Sequence, residues 1–300
     1  MGLTAASTVG LALALDVLFA EFPARVHPVA LFGRLVEPFD RRWSRPKLVG
    51  ALLTLFLPLG AAAVAGGAVR LASLAGPAFA AALAALALFG ATSLRMLYAV
   101  AVDVIDDTEG DLDGAREAVR ALVGRDAAAL SAGQLRSAAV ESAAENLVDG
   151  LVAPLFAFAL GAQLSLPVAV AAAVWVKAVN TLDSMLGYRS KPVGWASARL
   201  DDVVMWVPAR LGAVLVALAG RRPGALLRAR AWRADPPSPN SGWPMATLAT
   251  LLDVRLEKPG VYVLHPAAEL PTAARARRGI RVVGLAGLCS FILAGVGAWF

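Results

Sequence analysis

The chain has 300 residues, 58% hydrophobic and 17% charged, with a net charge of +6 and a mean hydropathy of +0.66. Soluble domains are about 45–50% apolar, glycine included, and about 25% charged; here 27 glycines carry the apolar share well past that, which excludes an ordinary soluble domain and predicts a helical membrane bundle. One cysteine, Cys289, and two histidines, His27 and His265, exclude an intramolecular disulfide and a thiolate or histidine-rich zinc or iron centre, and they disfavour a Ser-His-Asp hydrolase.

Leu3–Phe19 reads as the first crossing; it has no basic leader and no small-residue cleavage site, so it is expected to be retained rather than removed as a signal peptide. A basic polar segment, 21–48, follows. Val49–Val69 and Leu71–Leu94 carry no charge and approach or exceed the roughly 20 residues a spanning helix needs, which predicts a hairpin around Arg70. Segment 95–150 is polar and acid-rich, and the alanines of Ser137–Gly150 predict a helix there. Leu151–Val176 is apolar but punctuated by Pro154, Gly161 and Pro167, which predicts a broken or re-entrant pair turning between Gly161 and Pro167; such breaks persist at membrane depth only inside protein or along a cavity. After the polar segment 177–202, Val203–Gly220 is interrupted by Pro208 and Arg210 and is the second broken or re-entrant stretch. A basic, proline-rich segment, 221–278, leads to a last crossing, Val282–Phe300. The expectation is an all-α, polytopic membrane bundle forming one integral membrane domain over residues 1–300. Arg34, Arg41, Arg42, Arg45, Lys47, Arg221, Arg222, Arg275, Arg277 and Arg278 flank the apolar runs, which places the polar segments in the cytoplasm by the positive-inside rule. No basic-and-aromatic nucleic-acid module is present.

Four clusters can carry chemistry. Glu141, Glu145 and Asp149 are spaced i, i+4, i+8, so a regular helix puts three repelling carboxylates on one face, a pattern that suits a cation or a solvated polar surface. Lys177, Asn180, Ser184 and Tyr188 fall on one helical stripe flanked by Asp183; a lysine snorkelling to the interface is the plainer reading of Lys177 alone. Arg199, Asp202, Trp206 and Arg210 share a face if the helix is continuous, with Asp201 pointing elsewhere. The fourth is the loop Asp235-Pro-Pro-Ser-Pro-Asn240-Ser-Gly-Trp243-Pro244, stiffened by its prolines. No P-loop or dinucleotide fingerprint is present. What remains is oxygen ligands with Lys and Arg, the groups that hold Mg²⁺ and neutralise phosphates.

These clusters, with Arg25-Val-His-Pro-Val29 and Gly33-Arg34 upstream, resemble the CobD/CbiB family, adenosylcobinamide-phosphate synthase of cobalamin biosynthesis, in order from about Asp16 to Pro244. The most specific stretches are Glu141–Gly150 followed by Ala153-Pro-Leu-Phe156, then Lys177–Tyr188, and Ala198-Arg-Leu-Asp-Asp202. The resemblance implies ATP-dependent ligation of (R)-1-amino-2-propanol, or its O-phosphate, to the ring-D propionate of cobyric acid. It implies Lys177, Asp183, Arg199, Asp202, Glu141 and Glu145 as catalytic, and Mg²⁺ at Glu145, Asp149, Asp183, Asp201 and Asp202. His27, Arg34, Asn146, Asn180, Tyr188, Asn240 and Trp243 are the expected substrate contacts. The implied partners are the corrinoid, the amine, the lipid bilayer and other late cobalamin-pathway membrane enzymes, at the inner membrane with the site facing the cytoplasm. The sequence departs from the family pattern at three places: Ala20-Glu-Phe-Pro23 stands where Gly-Asp-Pro is usual, Met245 replaces an acid after Trp-Pro, and Ala268-Glu-Leu270 stands where a Gly-Asp is usual. A non-catalytic sensor like the distantly similar AmpE proteins and a transporter are the alternatives. Retention of Lys177, Asp183 and Arg199–Asp202 favours the enzyme over the sensor, and acids at helix ends rather than mid-span disfavour the transporter.

Overall fold

In a computed structural model, residues 2–120 and 128–300 are described; residues 121–127, within the polar segment 95–150, lie outside them. The helices are α1 (Gly2–Phe19), α2 (Pro28–Val36), α3 (Pro46–Ala72), α4 (Pro77–Ala91), α5 (Arg95–Asp107), α6 (Leu112–Val119), α7 (Ala132–Leu147), α8 (Ala153–Ala162), α9 (Leu166–Leu186), α10 (Trp195–Val204), α11 (Trp206–Ala219), α12 (Gly224–Arg228), α13 (Gly242–Leu252) and α14 (Ala273–Trp299). Strands β1 (Leu256–Lys258) and β2 (Tyr262–Leu264) form an antiparallel hairpin. The fold is therefore the all-α membrane architecture read from composition. Among the described residues, six stretches are long and apolar enough to cross a bilayer: Gly2–Phe19, Pro46–Ala72, Pro77–Asp107, Ala132–Ala162, Leu166–Leu186 and Ala273–Trp299. They mark a multi-pass membrane protein.

Local signals set the helix starts. Pro28, Pro46 and Pro77 occupy first-turn positions, where a missing N–H costs nothing. Ser165 caps α9 by accepting from the Val168 amide at 3.3 Å, and Ser131 with Gln134 forms a capping box on α7. The first hairpin does not turn at Arg70, which stays inside α3; it turns at Ser73–Gly76, where Gly76 adopts a φ of +125° and Pro77 opens α4. Glycine tolerates that backbone and arginine does not.

The contacts divide the chain into two compact units. The first comprises Met1–Ser93, Asp149–Met205 and Ser290–Phe300. In it α9 packs against α3, α8, α4, α2 and α10, so it is the central helix of that unit. Small residues allow the close approach: a Cβ on Gly66 would lie 2.9 Å from the Pro167 carbonyl oxygen, and one on Gly161 2.7 Å from the Ala169 Cα. The chain turns from α8 into α9 over Gln163–Ser165, within the Gly161–Pro167 interval, and α9 then runs unbroken for 21 residues through Lys177 to Leu186. That length is about 30 Å. At its start Gln163 donates to the Gly297 carbonyl at 2.8 Å; beyond its end Lys191 pairs with Asp40 at 2.6 Å.

The second unit comprises Leu94–Val148 and Trp206–Cys289. Here α7 packs on α5, α13 and β1, and α13 packs on α11 and α12. Gly279 of α14 sits against Leu252 and Val140, and Gly284 against the Tyr98 ring. Two expected helical faces are interrupted. Val148–Val152 winds as a π turn, so the regular 3.6-residue period that the i, i+4, i+8 reading assumed does not run through Asp149. The helix that would align Arg199 and Asp202 with Trp206 and Arg210 breaks at Met205, three residues before Pro208, which lacks an N–H for the Val204 carbonyl and clashes with it.

Candidate active site

The first unit gathers most of the predicted residues around the second half of α9. Lys177, half-buried midway along α9, points its Nζ at the Asp149 carbonyl oxygen, 3.4 Å away, on the π turn. The charges of Asp149, Glu21 and Asp201 act on it. One turn on, Asn180 is buried and its Nδ2 lies 3.5 Å from Asp201 Oδ1; Asn180 also lies near enough to act on the Asp149 carboxylate. A further turn on, Asp183 stands within electrostatic reach of Asp202 and Asp149. Its Oδ1 is buried, with no hydrogen-bond partner among the described residues. That oxygen occupies the space a side chain at 187 would fill: a Cβ on Gly187 would sit 1.8 Å from it. Gly194 does similar work for α10, because a Cβ there would meet the Leu186 carbonyl oxygen at 1.7 Å. Close packing at Gly194 thus seats Asp201 and Asp202 beside the end of α9. Arg199 is exposed on α10 and its charge acts on Asp202.

His27 caps α2, its Nδ1 accepting from the Val29 amide at 3.2 Å. That bond leaves the neutral ring with Nε2–H as a donor. Burial holds the imidazole below its usual pKa, with the Glu21 charge opposing and the Lys177 charge reinforcing the shift. His27 therefore suits a fixed donor better than a base.

Glu21 is the residue the sequence reading passed over. It accepts from Ser93 Oγ at 3.1 Å, while the Ser93 amide donates to the Gly150 carbonyl at 3.0 Å, next to Asp149. Ala20-Glu21 stands where the resembled pattern has Gly-Asp. Ala20 takes a φ of +62°, the left-handed backbone that favours glycine, and Glu21 delivers a carboxylate to the Lys177 group. The six-residue spacing from Glu21 to His27 was the available signal.

The other predicted residues stand elsewhere. Arg34 is exposed and donates to the Ala24 carbonyl at 3.1 Å. Tyr188 lies past the end of α9, off the expected stripe, and is 54% exposed, with Lys191 5.1 Å from its ring centroid. In the second unit, Glu141 is buried, accepting from Ser137 Oγ at 2.7 Å and from the Tyr262 hydroxyl at 2.5 Å. That network ties α7 to the β-hairpin, since Ser137 Oγ also accepts from the Glu257 amide at 2.7 Å. Glu145 and Asn146 follow on α7, and Asn146 donates to the Ser142 carbonyl and hydroxyl oxygens at 3.0 Å. Asn240 and Trp243 sit with Arg210 and Arg233 at the start of α13.

Among the described residues, no three His, Cys, Asp or Glu side chains converge as a metal cage. Mg²⁺ needs less, because it is commonly held by one or two carboxylates with waters and phosphate oxygens. The orphaned Asp183 oxygen, with Asp149, Asp201 and Asp202 nearby, fits that donor set. Beside these groups an apolar cavity of about 550 Å³ opens among α2, α3, α4 and α9, with Lys177 and Thr181 as its polar lining. A cation, clustered carboxylates and an apolar recess can together receive a phosphorylated group and hold an organic substrate against it.

Comparison with known proteins gives a consistent result. Residues 9–284 match the CobD/Cbib protein family. The probable cobalamin biosynthesis protein CobD of Methanothrix thermoacetophila is 37% identical over 300 residues, 94% of this chain and 93% of that one. The cobalamin biosynthesis protein CobD of Geobacter metallireducens is 40% identical over 86% of this chain and 83% of its own length. The one from Mycobacterium tuberculosis is 40% identical over 83% and 79%. No solved structure matches the chain.

Proposed function

The chain belongs to the CobD/Cbib protein family, and on that premise we propose that it acts in cobalamin biosynthesis as an ATP-dependent acid–amine ligase. The substrates are the ring-D propionate of (adenosyl)cobyric acid and (R)-1-amino-2-propanol or its O-phosphate; the product is (adenosyl)cobinamide or its phosphate. The observation that carries the reading is the Lys177 group, one ammonium on which Asp149, Glu21 and Asp201 act, with Asp183 in turn beside Asp149 and Asp202. Ionisable groups so placed in a membrane bundle are costly and signal function.

A carboxylate does not acylate an amine unaided. The propionate oxygen attacks the γ-phosphorus of ATP, the bond to the bridging oxygen breaks, and ADP leaves. The amine nitrogen then attacks the acyl carbon, inorganic phosphate departs with the C–O bond electrons, and the nitrogen's proton passes to a carboxylate. Lys177 and Arg199 supply the positive charge that phosphate oxygens need. Asp202 of α10 is the carboxylate assigned to take the proton, with Asn180 fixing Asp201. Asp149, Asp183 and Asp201 would hold Mg²⁺, which when bound offsets charge on the transferring phosphoryl group. His27 donates from Nε2 to a substrate acceptor. The reading places the protein in the inner membrane, its site open to cytoplasmic ATP, working beside other late-pathway membrane enzymes.

The test uses the full-length protein in uncharged detergent with cobyric acid, either amine and Mg·ATP, following amide by mass spectrometry. With ¹⁸O in the propionate carboxylate, label should appear in the released phosphate. Chelation by EDTA should stop turnover and Mg²⁺ restore it, and Lys177→Ala should cost about 10²–10³ in rate. Absence of amide from folded protein with both amines, or wild-type turnover in Lys177→Ala, overturns the assignment.

A further inference from the structure

The second unit holds a cluster of unbalanced positive charge that the ligation chemistry does not use. Arg210 of α11 lies with its Cζ 4.3 Å from the Trp206 ring centroid and 5.4 Å from that of Trp243. Arg233, in the loop before α13, lies 4.8 Å from the Trp243 centroid. Two guanidinium groups therefore share one indole, and their charges act on each other. Among the described residues neither makes an ion pair. Arg210 is held by neutral acceptors, the Asn240 Oδ1 at 2.7 Å and the Trp206 carbonyl at 2.8 Å. Two donors stay buried without a partner among the described residues, Arg233 Nε and Trp243 Nε1. The packing that sets this up depends on Gly242, where a Cβ would meet the Arg233 carbonyl oxygen at 2.0 Å.

We propose that Arg210, Arg233 and Trp243 form a binding site for a phosphate group. The chemistry of the donors selects the ligand class. Two like charges held close lose energy until an anion comes between them, and stacking on indole offsets only part of that repulsion. The cluster presents N–H donors, and its amide oxygen is already taken by Arg210. Guanidinium forks match the tetrahedral, multi-oxygen face of a phosphate, and the indole N–H adds a further donor. The phosphate has two sources of shared chemistry: a soluble phosphomonoester, such as the O-phosphate of the amino alcohol, or the headgroup of an anionic phospholipid. Assigning it to the amine rests on the ligase reading; the site itself does not.

Binding is measured calorimetrically, without turnover, on full-length protein in uncharged detergent. The probes are inorganic phosphate and 1-amino-2-propanol O-phosphate, with unphosphorylated 1-amino-2-propanol as the control. Saturable phosphate binding is expected, weakened about tenfold or more in Arg233→Gln, which removes one charge-assisted donor. Arg233→Lys should lose less, because the charge remains. Trp243→Phe keeps the ring and removes the N–H, so it tests the site independently if Arg233→Gln fails to fold. Tighter binding of the phosphorylated amine than of inorganic phosphate identifies the soluble source. Loss of phosphate binding in phosphatidylglycerol nanodiscs, but not in phosphatidylcholine ones, identifies the lipid source. No saturable binding, or binding unaltered in Arg233→Gln and in Trp243→Phe, overturns the proposal. Binding is read without turnover, so its failure and that of the ligase reading are distinguishable.

Discussion

Gly187→Ala isolates the geometry of Asp183 from everything around it. Gly187 has φ −70° and ψ 9°, a backbone any residue adopts, so alanine brings no dihedral strain, although its methyl would also come to 2.8 Å from the Asp183 carbonyl oxygen. The new methyl, however, would lie 1.8 Å from Asp183 Oδ1, and real contacts of this kind stay beyond about 3 Å, so the carboxylate must retreat by more than about 1 Å. A misplacement of that size in a catalytic group costs on the order of 10² in rate. The assay is the initial rate of amide formation on detergent-purified protein, beside its thermal unfolding midpoint. The variant should lose about 10² in kcat/KM with a midpoint near wild type. Gly10→Ala, whose methyl meets nothing within 4 Å, should leave both unchanged. In an Asp183→Ala background, Gly187→Ala should cost nothing more, since its target is gone. A wild-type rate in Gly187→Ala, or an additive loss in the double variant, would refute the reasoning.

Glu21→Gln keeps an acceptor for Ser93 while removing the charge beside Lys177 and His27, and should lower kcat/KM by about 10²; an unchanged rate means that Glu21 only holds the loop. Glu141→Ala leaves the hydroxyls of Tyr262 and Ser137 without their carboxylate, at about 1–3 kcal/mol for each unsatisfied buried group. It should lower the unfolding midpoint in detergent clearly, Glu141→Gln less so, and an unaltered midpoint in the alanine variant contradicts the structural role. For topology, single cysteines at Leu164 and Ser190 in a Cys289→Ala background report the two ends of α9. Ser190→Cys should react with an impermeant thiol reagent only in inverted vesicles. Leu164→Cys should react from the outer face if the α8–α9 hairpin crosses fully, and from neither face if the pair is re-entrant. Labelling of both from the outer face contradicts a cytoplasmic site.

Much was legible in the chain itself. Uncharged runs such as Val49–Val69 and Val282–Phe300 declare membrane helices because hydrocarbon accepts few charges over about 20 residues. Lys177 and Asn180 fall on one stripe of α9 with Asp183 beside it, as their spacing predicts, whereas Asp201, which the spacing pointed elsewhere, lies 3.5 Å from Asn180 Nδ2. Faces were legible only while the 3.6-residue period held. The π turn at Val148–Val152 and the break at Met205 each interrupt that period within the stretches where the expected faces were read. Neither interruption shows in a periodicity count, since a single turn of altered winding leaves composition untouched.

Composition and motif order thus determined an all-α membrane chain of this family, because burial in lipid and local helix signals act over neighbouring residues. Tertiary structure decided which polar groups meet. Glu21 reaches the Lys177 group through Ser93, 72 residues away in sequence, and Glu141 spends its carboxylate on Tyr262, 121 residues away. Arg210 and Arg233 meet over Trp243 because glycine at 242 lets the backbone of the Arg233 loop approach the start of α13. Such pairings depend on close packing between distant segments, a property of the folded chain that no local pattern of residues encodes.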